Sequence, residues 1–144
     1  MHLINNLSFS LIIPVYNRPH EIDELLASLV TQTFTAPFEV LIIEDGSTQK
    51  SERIVEKYKN QLNLRYFFKE NSGAGASRNF GMQQALGTYF IILDSDVIVP
   101  NQYLSEVKKA LETNFTHAFG GPDTAHKSFT PLQKAINYSM TSVL

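Results

Sequence analysis

Short apolar runs alternate with amphipathic segments along most of this 144-residue chain, and that alternation limits its fold more than any other feature. Residues 9–15 are β-rich and apolar. Ile22, Leu25, Leu26, Leu29 and Val30 then recur at the spacing of one helical face. Pro19 stands where a first helical residue would be, because its missing N–H is not needed there. Residues 38–43 predict a second strand, and Ile54, Val55, Tyr58 and Leu62 stripe a second helix. A third strand follows at 64–68, a third helix at 76–86, a fourth strand at 88–93 and a fourth helix at 100–111. Residues 116–119 are a candidate fifth strand, closed by Gly120, Gly121 and Pro122. Strands alternating with helices of this length imply right-handed βαβ units around a largely parallel sheet, the α/β class.

Composition removes several functional classes. Apolar residues make up 43% and charged residues 18%, enough to bury a core and too apolar for a disordered chain. The net charge of −2 lacks the basic footprint of a nucleic-acid binder. Cysteine is absent, which excludes disulfides, thiolate catalysis and cysteine-ligated zinc, and agrees with a reducing compartment. No apolar run reaches the ~18–20 residues of a membrane span, and residues 1–10 do not read as a secretory signal. A soluble enzyme domain, a binding module, or a piece of something larger remain.

Parallel sheets bind ligands outside the carboxyl ends of their strands, so the segments after the four strands are the places to search. Asp94-Ser95-Asp96 sets two carboxylates one residue apart, able to converge on a hard cation together with phosphate oxygens. Read alone, such a pair is more often a turn of solvated aspartates, and its place after the apolar run at 89–93 is what favours the cation. Glu44-Asp45-Gly46-Ser47 offers carboxylates that accept an N–H from a base or a hydroxyl from a ribose. They can also cap the next helix, as can Ser47 or Thr48. Gly73-Ala74-Gly75 resembles a phosphate-cradling loop at a helix N-terminus, with Arg78 one turn inside and able to reach a diphosphate. A plain flexible turn is the alternative, and the dinucleotide fingerprint fails because position 78 is Arg. Tyr16, in Pro14-Val15-Tyr16-Asn17, either stacks on a nucleobase or packs at the sheet edge. His2, His20, His117 and His126 lack metal-ligand spacing, and no Ser-His-Asp arrangement is present.

Taken in order over about residues 9–122, these segments resemble family 2 glycosyltransferases of the GT-A fold. The resemblance rests on Pro14-Val15-Tyr16-Asn17, Gln32-Thr33-Phe34, Glu44-Asp45-Gly46-Ser47-Thr48, Asn71-Ser72-Gly73, Ala76-Ser77-Arg78-Asn79-Phe80-Gly81 and Asp94-Ser95-Asp96. It implies a Rossmann-like, three-layer α/β/α domain with a largely parallel central sheet. It implies a hexosyltransferase that takes a nucleotide-diphospho-sugar, commonly a UDP-sugar, and passes the sugar with inversion to a saccharide or lipid-linked acceptor in polysaccharide synthesis. Pro14, Tyr16, Asn17, Asp45, Gly73, Arg78, Asp94 and Ser95 would bind the donor. Tyr16 would flank the base, Asp45 would accept its ring N–H and Arg78 would lie near the diphosphate. Asp94 would contact the ribose or a metal-bound water, and Asp96 would bind the divalent cation, Mg²⁺ or Mn²⁺. Glu44 departs from the commoner aspartate. The resemblance also implies a cytoplasmic address, with peripheral membrane association as a further expectation, and no role for nucleic acid.

The family's catalytic base has no match here and is expected beyond residue 144; Asp123 does not fit its motif. Residues 1–122 therefore read as the nucleotide-binding half. Residues 123–144 read as the start of an acceptor half whose rest is absent. Leu132, Ala135, Ile136, Met140 and Val143 share one face of a helix expected at 130–143. That helix would meet a missing segment, dock on the sheet, or form a homodimer. Such a fragment is expected to bind donor weakly and to transfer little sugar. A nucleotide- or metal-binding module without transferase activity is the other reading of the same residues.

Overall fold

The computed structural model describes residues 7–120. Four strands, β1 (Phe9–Val15), β2 (Phe38–Asp45), β3 (Asn63–Lys69) and β4 (Tyr89–Ile92), alternate with α1 (Pro19–Val30), α2 (Glu52–Tyr58), α3 (Ala74–Gln84) and α4 (Tyr103–Thr113). All strand pairings are parallel, in the order β3-β2-β1-β4. The α/β alternation expected from the sequence is therefore present. So is the Pro19 start of α1.

β1 is buried along its whole length, and β2 from its second residue on. Strands covered on both faces read as unbroken apolar runs rather than alternating ones. Leu11, Ile13, Val15, Val40 and Ile42 pack with Ile22, Leu25, Leu26 and Leu29 of α1, Val55 of α2, and Leu104, Val107 and Leu111 of α4. On the opposite face Ile12, Leu41 and Ile43 meet Phe67 of β3 and Phe80 and Met82 of α3. That gives three layers, with α3 alone on its side among the described residues. Burying each such aliphatic side chain is worth about 1.5–3 kcal/mol.

Gly81 lets α3 come close to the sheet. A Cβ there would press into Ile12 Cγ2 and lie 3.3 Å from Ile43 Cγ1. Gly81→Ala is expected to destabilise by about 1–3 kcal/mol through overpacking. The expected result is a lower urea midpoint at unchanged slope; an unchanged midpoint would contradict the close approach.

Several boundaries differ from the sequence reading. α2 ends at Tyr58, so Leu62 joins the core from the following turn, where its N–H donates to Tyr58 O. α3 starts two residues early and stops before Leu86, which is 79% exposed. α4 begins at Tyr103 because residues 100–102 form a turn closed by Tyr103 N–H on Pro100 O. The expected strand at 116–119 is irregular backbone. Phe119 stacks on Tyr89 and Thr116 O accepts the Tyr89 hydroxyl, side-chain ties that make no ladder. Asp123 and the expected helix at 130–143 lie outside the described residues. Among the described residues no helix is long and apolar enough to cross a membrane.

The strand order positions the site. The chain steps outward from β1 through β2 to β3, then returns to the other side of β1 as β4. The reversal point lies between β1 and β4, where open parallel sheets bind ligands outside the carboxyl ends.

Candidate functional site

Successive strand side chains point to opposite faces, and this separates the two acids ending β2. Glu44 turns toward α2. Its Oε2 accepts Ser51 N–H (2.8 Å), Ser51 Oγ–H (2.5 Å) and Tyr66 O–H (3.1 Å), which secures the start of α2. Its Oε1 has no partner among the described residues. Burial, together with the Glu44 charge, pushes the Tyr66 hydroxyl well above its usual pKa. Neither Ser47 nor Thr48 caps α2.

Asp45 turns toward α3. It pairs with Lys69 Nζ and accepts Ser72 N–H (2.9 Å) and Gly73 N–H (2.8 Å). Burial alone would raise its pKa; the Lys69 ammonium and the two backbone donors outweigh burial and hold it below the usual value. Gly73, at φ +90°, caps α3, so Asp45 fixes where that helix begins. Gly46 has φ +73°, and a Cβ there would lie 2.7 Å from Asn71 N. Only glycine fits that left-handed turn against the neighbouring loop.

At the end of β1, Pro14 is buried and Tyr16 is 53% exposed, so the tyrosine ring is not packed away at the sheet edge. Asn17 takes a left-handed φ of +53°, which Asn tolerates better than most residues. Its Oδ1 accepts Thr48 N–H (2.8 Å), Thr48 Oγ–H (3.1 Å) and Gln49 N–H (2.9 Å), and its own N–H donates to Ser47 Oγ (2.8 Å). Asn17 thus fastens the turn after β1 to the turn after β2.

Beyond β4, Ser95 is buried while Asp94 and Asp96 project outward, their side chains 65% and 53% exposed. Asp94 Oδ1 accepts Arg78 Nη2–H at 2.8 Å, and Asp96 Oδ2 accepts Arg18 Nη1–H at 3.0 Å. The second pair spans the gap between the ends of β1 and β4. Asp45, Asp94 and Asp96 are each met by a basic side chain. The two exposed pairs are worth only about 0–1 kcal/mol each, so a ligand can exchange them readily.

Asp94 and Asp96 supply hard oxygen donors on one short loop. Mg²⁺ and Mn²⁺ sites beside phosphates use one or two carboxylates, with phosphate oxygens and waters completing the shell. Among the described residues no three ligating side chains gather, and a cation here would need phosphate oxygens or waters beside these two carboxylates. Gly73 and Arg78 place the α3 N-terminus and a guanidinium on the same side of the sheet ends.

The structure brings together Pro14, Tyr16, Asn17, Asp45, Gly73, Arg78, Asp94, Ser95 and Asp96 at the carboxyl ends of the strands. Reading the sequence missed Arg18 and Lys69. Lys69 required knowing that β2 and β3 are neighbours in a register that sets it against Asp45. Arg18 required knowing that β1 and β4 are neighbours. A shallow cavity among Thr33, Phe34, Lys108 and Glu112 lies near the start of β2, at the other end of the sheet, and holds none of these residues.

The family model described as glycosyl transferase family 2 matches residues 10–142. An uncharacterized glycosyltransferase of Rickettsia conorii is 37% identical over 118 residues, 80% of this chain and 19% of that protein. The poly(ribitol-phosphate) β-N-acetylglucosaminyltransferase TarS of Staphylococcus aureus is 40% identical over 103 residues, 69% of this chain and 18% of TarS. The crystal structure of S. aureus TarS residues 1–349 with UDP superposes with a TM-score of 0.72 at 32% identity, covering 85% of this chain and 40% of that one. A TarS complex with UDP-GlcNAc matches with the same TM-score at 33% identity, over 85% of this chain and 39% of that one. The chain spans about a fifth of the length of these curated relatives.

Proposed function

The chain belongs to glycosyl transferase family 2, and on that premise we propose that residues 7–120 form the donor-binding side of an inverting hexosyltransferase that uses a UDP-sugar. One observation carries the reading. The carboxylates and cations after β1, β2 and β4 and at the start of α3 collect around the β1/β4 reversal point. The UDP and UDP-GlcNAc bound to S. aureus TarS support the choice of nucleotide.

Tyr16 stacks on the base with its exposed ring. Asp45, kept ionised by Lys69 and two backbone N–H groups, accepts the ring N–H of the base. Pro14 and Asn17 hold Tyr16 in place through the rigid end of β1 and the tie to residues 47–49. Gly73 presents the α3 N-terminus to the diphosphate, where helix dipole and free N–H groups favour negative charge. Arg78 moves from Asp94 to a phosphate oxygen, a charge-assisted bond. Asp94 would then be free for the ribose or to support the cation, and Ser95, buried, keeps the two aspartates turned outward. Asp96, with Asp94, would hold Mg²⁺ or Mn²⁺, and that cation would supply positive charge against the departing diphosphate. In the transfer, the acceptor hydroxyl oxygen bonds to the anomeric carbon as the bond to the diphosphate breaks. The hydroxyl proton goes to a base that the described residues do not supply. Charge grows on the leaving group, so preorganised cations at this position stabilise the transition state. The acceptor is a saccharide or lipid-linked hydroxyl.

Calorimetric titration of UDP into the chain, with and without Mn²⁺, tests the reading. Binding strengthened by the metal is expected. A chain shown to be folded by circular dichroism that binds UDP in neither condition would overturn it.

A further inference from the structure

The Arg18–Asp96 pair bridges the two strand ends flanking the reversal point. Arg18 Nη1 stands 3.0 Å from Asp96 Oδ2 and 3.7 Å from Glu21 Oε1, so the guanidinium lies between two carboxylates. The Arg18, Asp96 and Glu21 side chains are 46%, 53% and 37% exposed, so solvent and ions reach all three. The side chain has no duty in starting α1. Position 18 makes no side-chain capping bond, and Pro19 opens the helix. Among the described residues the Arg18 guanidinium is paired with these two acids alone.

A guanidinium and a divalent cation repel, and both seek the same carboxylate. We infer that Arg18 is a positioning residue for the metal: it holds Asp96 until a divalent cation takes that carboxylate, and then passes to Glu21. This rests on the reading of Asp96 as a metal ligand. Arg18 keeps the Asp96 carboxylate from collapsing onto other donors and keeps the loop after β4 next to the end of β1. Glu21, one helical turn along α1, gives the displaced guanidinium a partner, so the exchange leaves no cation stranded beside the metal. An exposed pair is weak enough for that exchange.

The test is the Mn²⁺ affinity of the 144-residue chain in the presence of UDP, read from the Mn²⁺ dependence of calorimetric UDP binding. Arg18→Ala is expected to tighten Mn²⁺ binding by about two- to fivefold, the size of an exposed ion pair. Arg18→Lys should stay near the parent. Glu21→Gln should weaken binding, and should lose most of that effect in the Arg18→Ala background, because only the guanidinium links Glu21 to Asp96. A purely structural role would lower affinity in every variant. Unchanged or weaker binding in a folded Arg18→Ala chain overturns the inference. If Asp96→Ala abolishes the Mn²⁺ site while Arg18→Ala changes nothing, the inference alone fails. If Asp96→Ala binds Mn²⁺ like the parent, the metal reading fails and takes the inference with it.

Discussion

Asp96→Ala is expected to weaken Mn²⁺-dependent UDP binding by about 100-fold or more. Loss of a group that merely supports a metal ligand costs about 10–100-fold in affinity, and Asp96 is proposed as the ligand itself. The fold should hardly notice. Asp96 is half exposed and makes one exposed pair with Arg18, worth about 0–1 kcal/mol. The thermal midpoint should therefore stay near the parent's while calorimetric binding in Mn²⁺ collapses to the metal-free level. Asp94→Ala should differ, because Asp94 is proposed to serve the ribose as well as the metal. Some of its loss should persist without Mn²⁺. An Asp96→Ala chain that binds UDP as the parent does, in the same Mn²⁺ concentration, would remove the metal from the proposed site.

The largest expected loss of stability lies at the other end of the sheet. Glu39 is 5% exposed. Its Oε1 accepts Ser10 Oγ–H and Leu86 N–H, both at 2.6 Å, and its Oε2 accepts Arg65 Nη1–H at 3.1 Å. Arg65 also donates to Gln84 O (2.6 Å), and Ser10 Oγ accepts Gly87 N–H (2.8 Å). The network joins β1, β2 and β3 to the turn that leads from α3 into β4. Glu39→Ala would leave a cation, the buried Ser10 hydroxyl and the part-buried Leu86 N–H without their acceptor, at about 3–5 kcal/mol. That is a large part of the ~5–15 kcal/mol typical of a domain. Glu39→Gln keeps the shape and one acceptor oxygen, and should cost less.

The same residue predicts a pH dependence. Burial would raise the Glu39 pKa, but bonds from Ser10, Leu86 N–H and Arg65 outweigh it and hold the carboxyl below its usual 4.5. A group depressed in the folded state binds more protons when unfolded, so its contribution is complete above the unfolded pKa. It fades as pH falls through the lower, folded pKa. Urea unfolding at pH 7 and at about pH 3 should show a smaller loss on acidification for Glu39→Gln than for the parent. Equal losses would show that Glu39 does not carry this dependence.

Much of the fold was legible because the central strands are buried on both faces. The runs at 9–15 and 38–43 are apolar without a break, and the helix between them has its stripe in register. Boundaries were less legible where local bonds compete. Leu62 carries the helical period of α2 but follows a turn, and residues 116–119 have strand-like composition without a strand to pair with among the described residues. The site's acids could be found by their place after strands. Their partners could not, since Lys69 lies 24 residues from Asp45 and Arg18 lies 78 from Asp96.

Local chemistry written in the sequence determined the α/β alternation, the Pro19 helix start, and the collection of Asp45, Gly73, Arg78, Asp94 and Asp96 at strand ends. Periodicity and turn residues act over a few positions, and each can be read where it stands. The tertiary structure decided which strands are neighbours, and so which charges meet. The return of β4 to the side of β1 put Arg18 on Asp96. The opposite facing of consecutive residues at the end of β2 gave Glu44 to α2 and Asp45 to α3. It also set Glu39 under Ser10 and Leu86. These pairings depend on burial shared across three layers, and a carboxylate's role follows from which donors that packing brings within 3 Å of it.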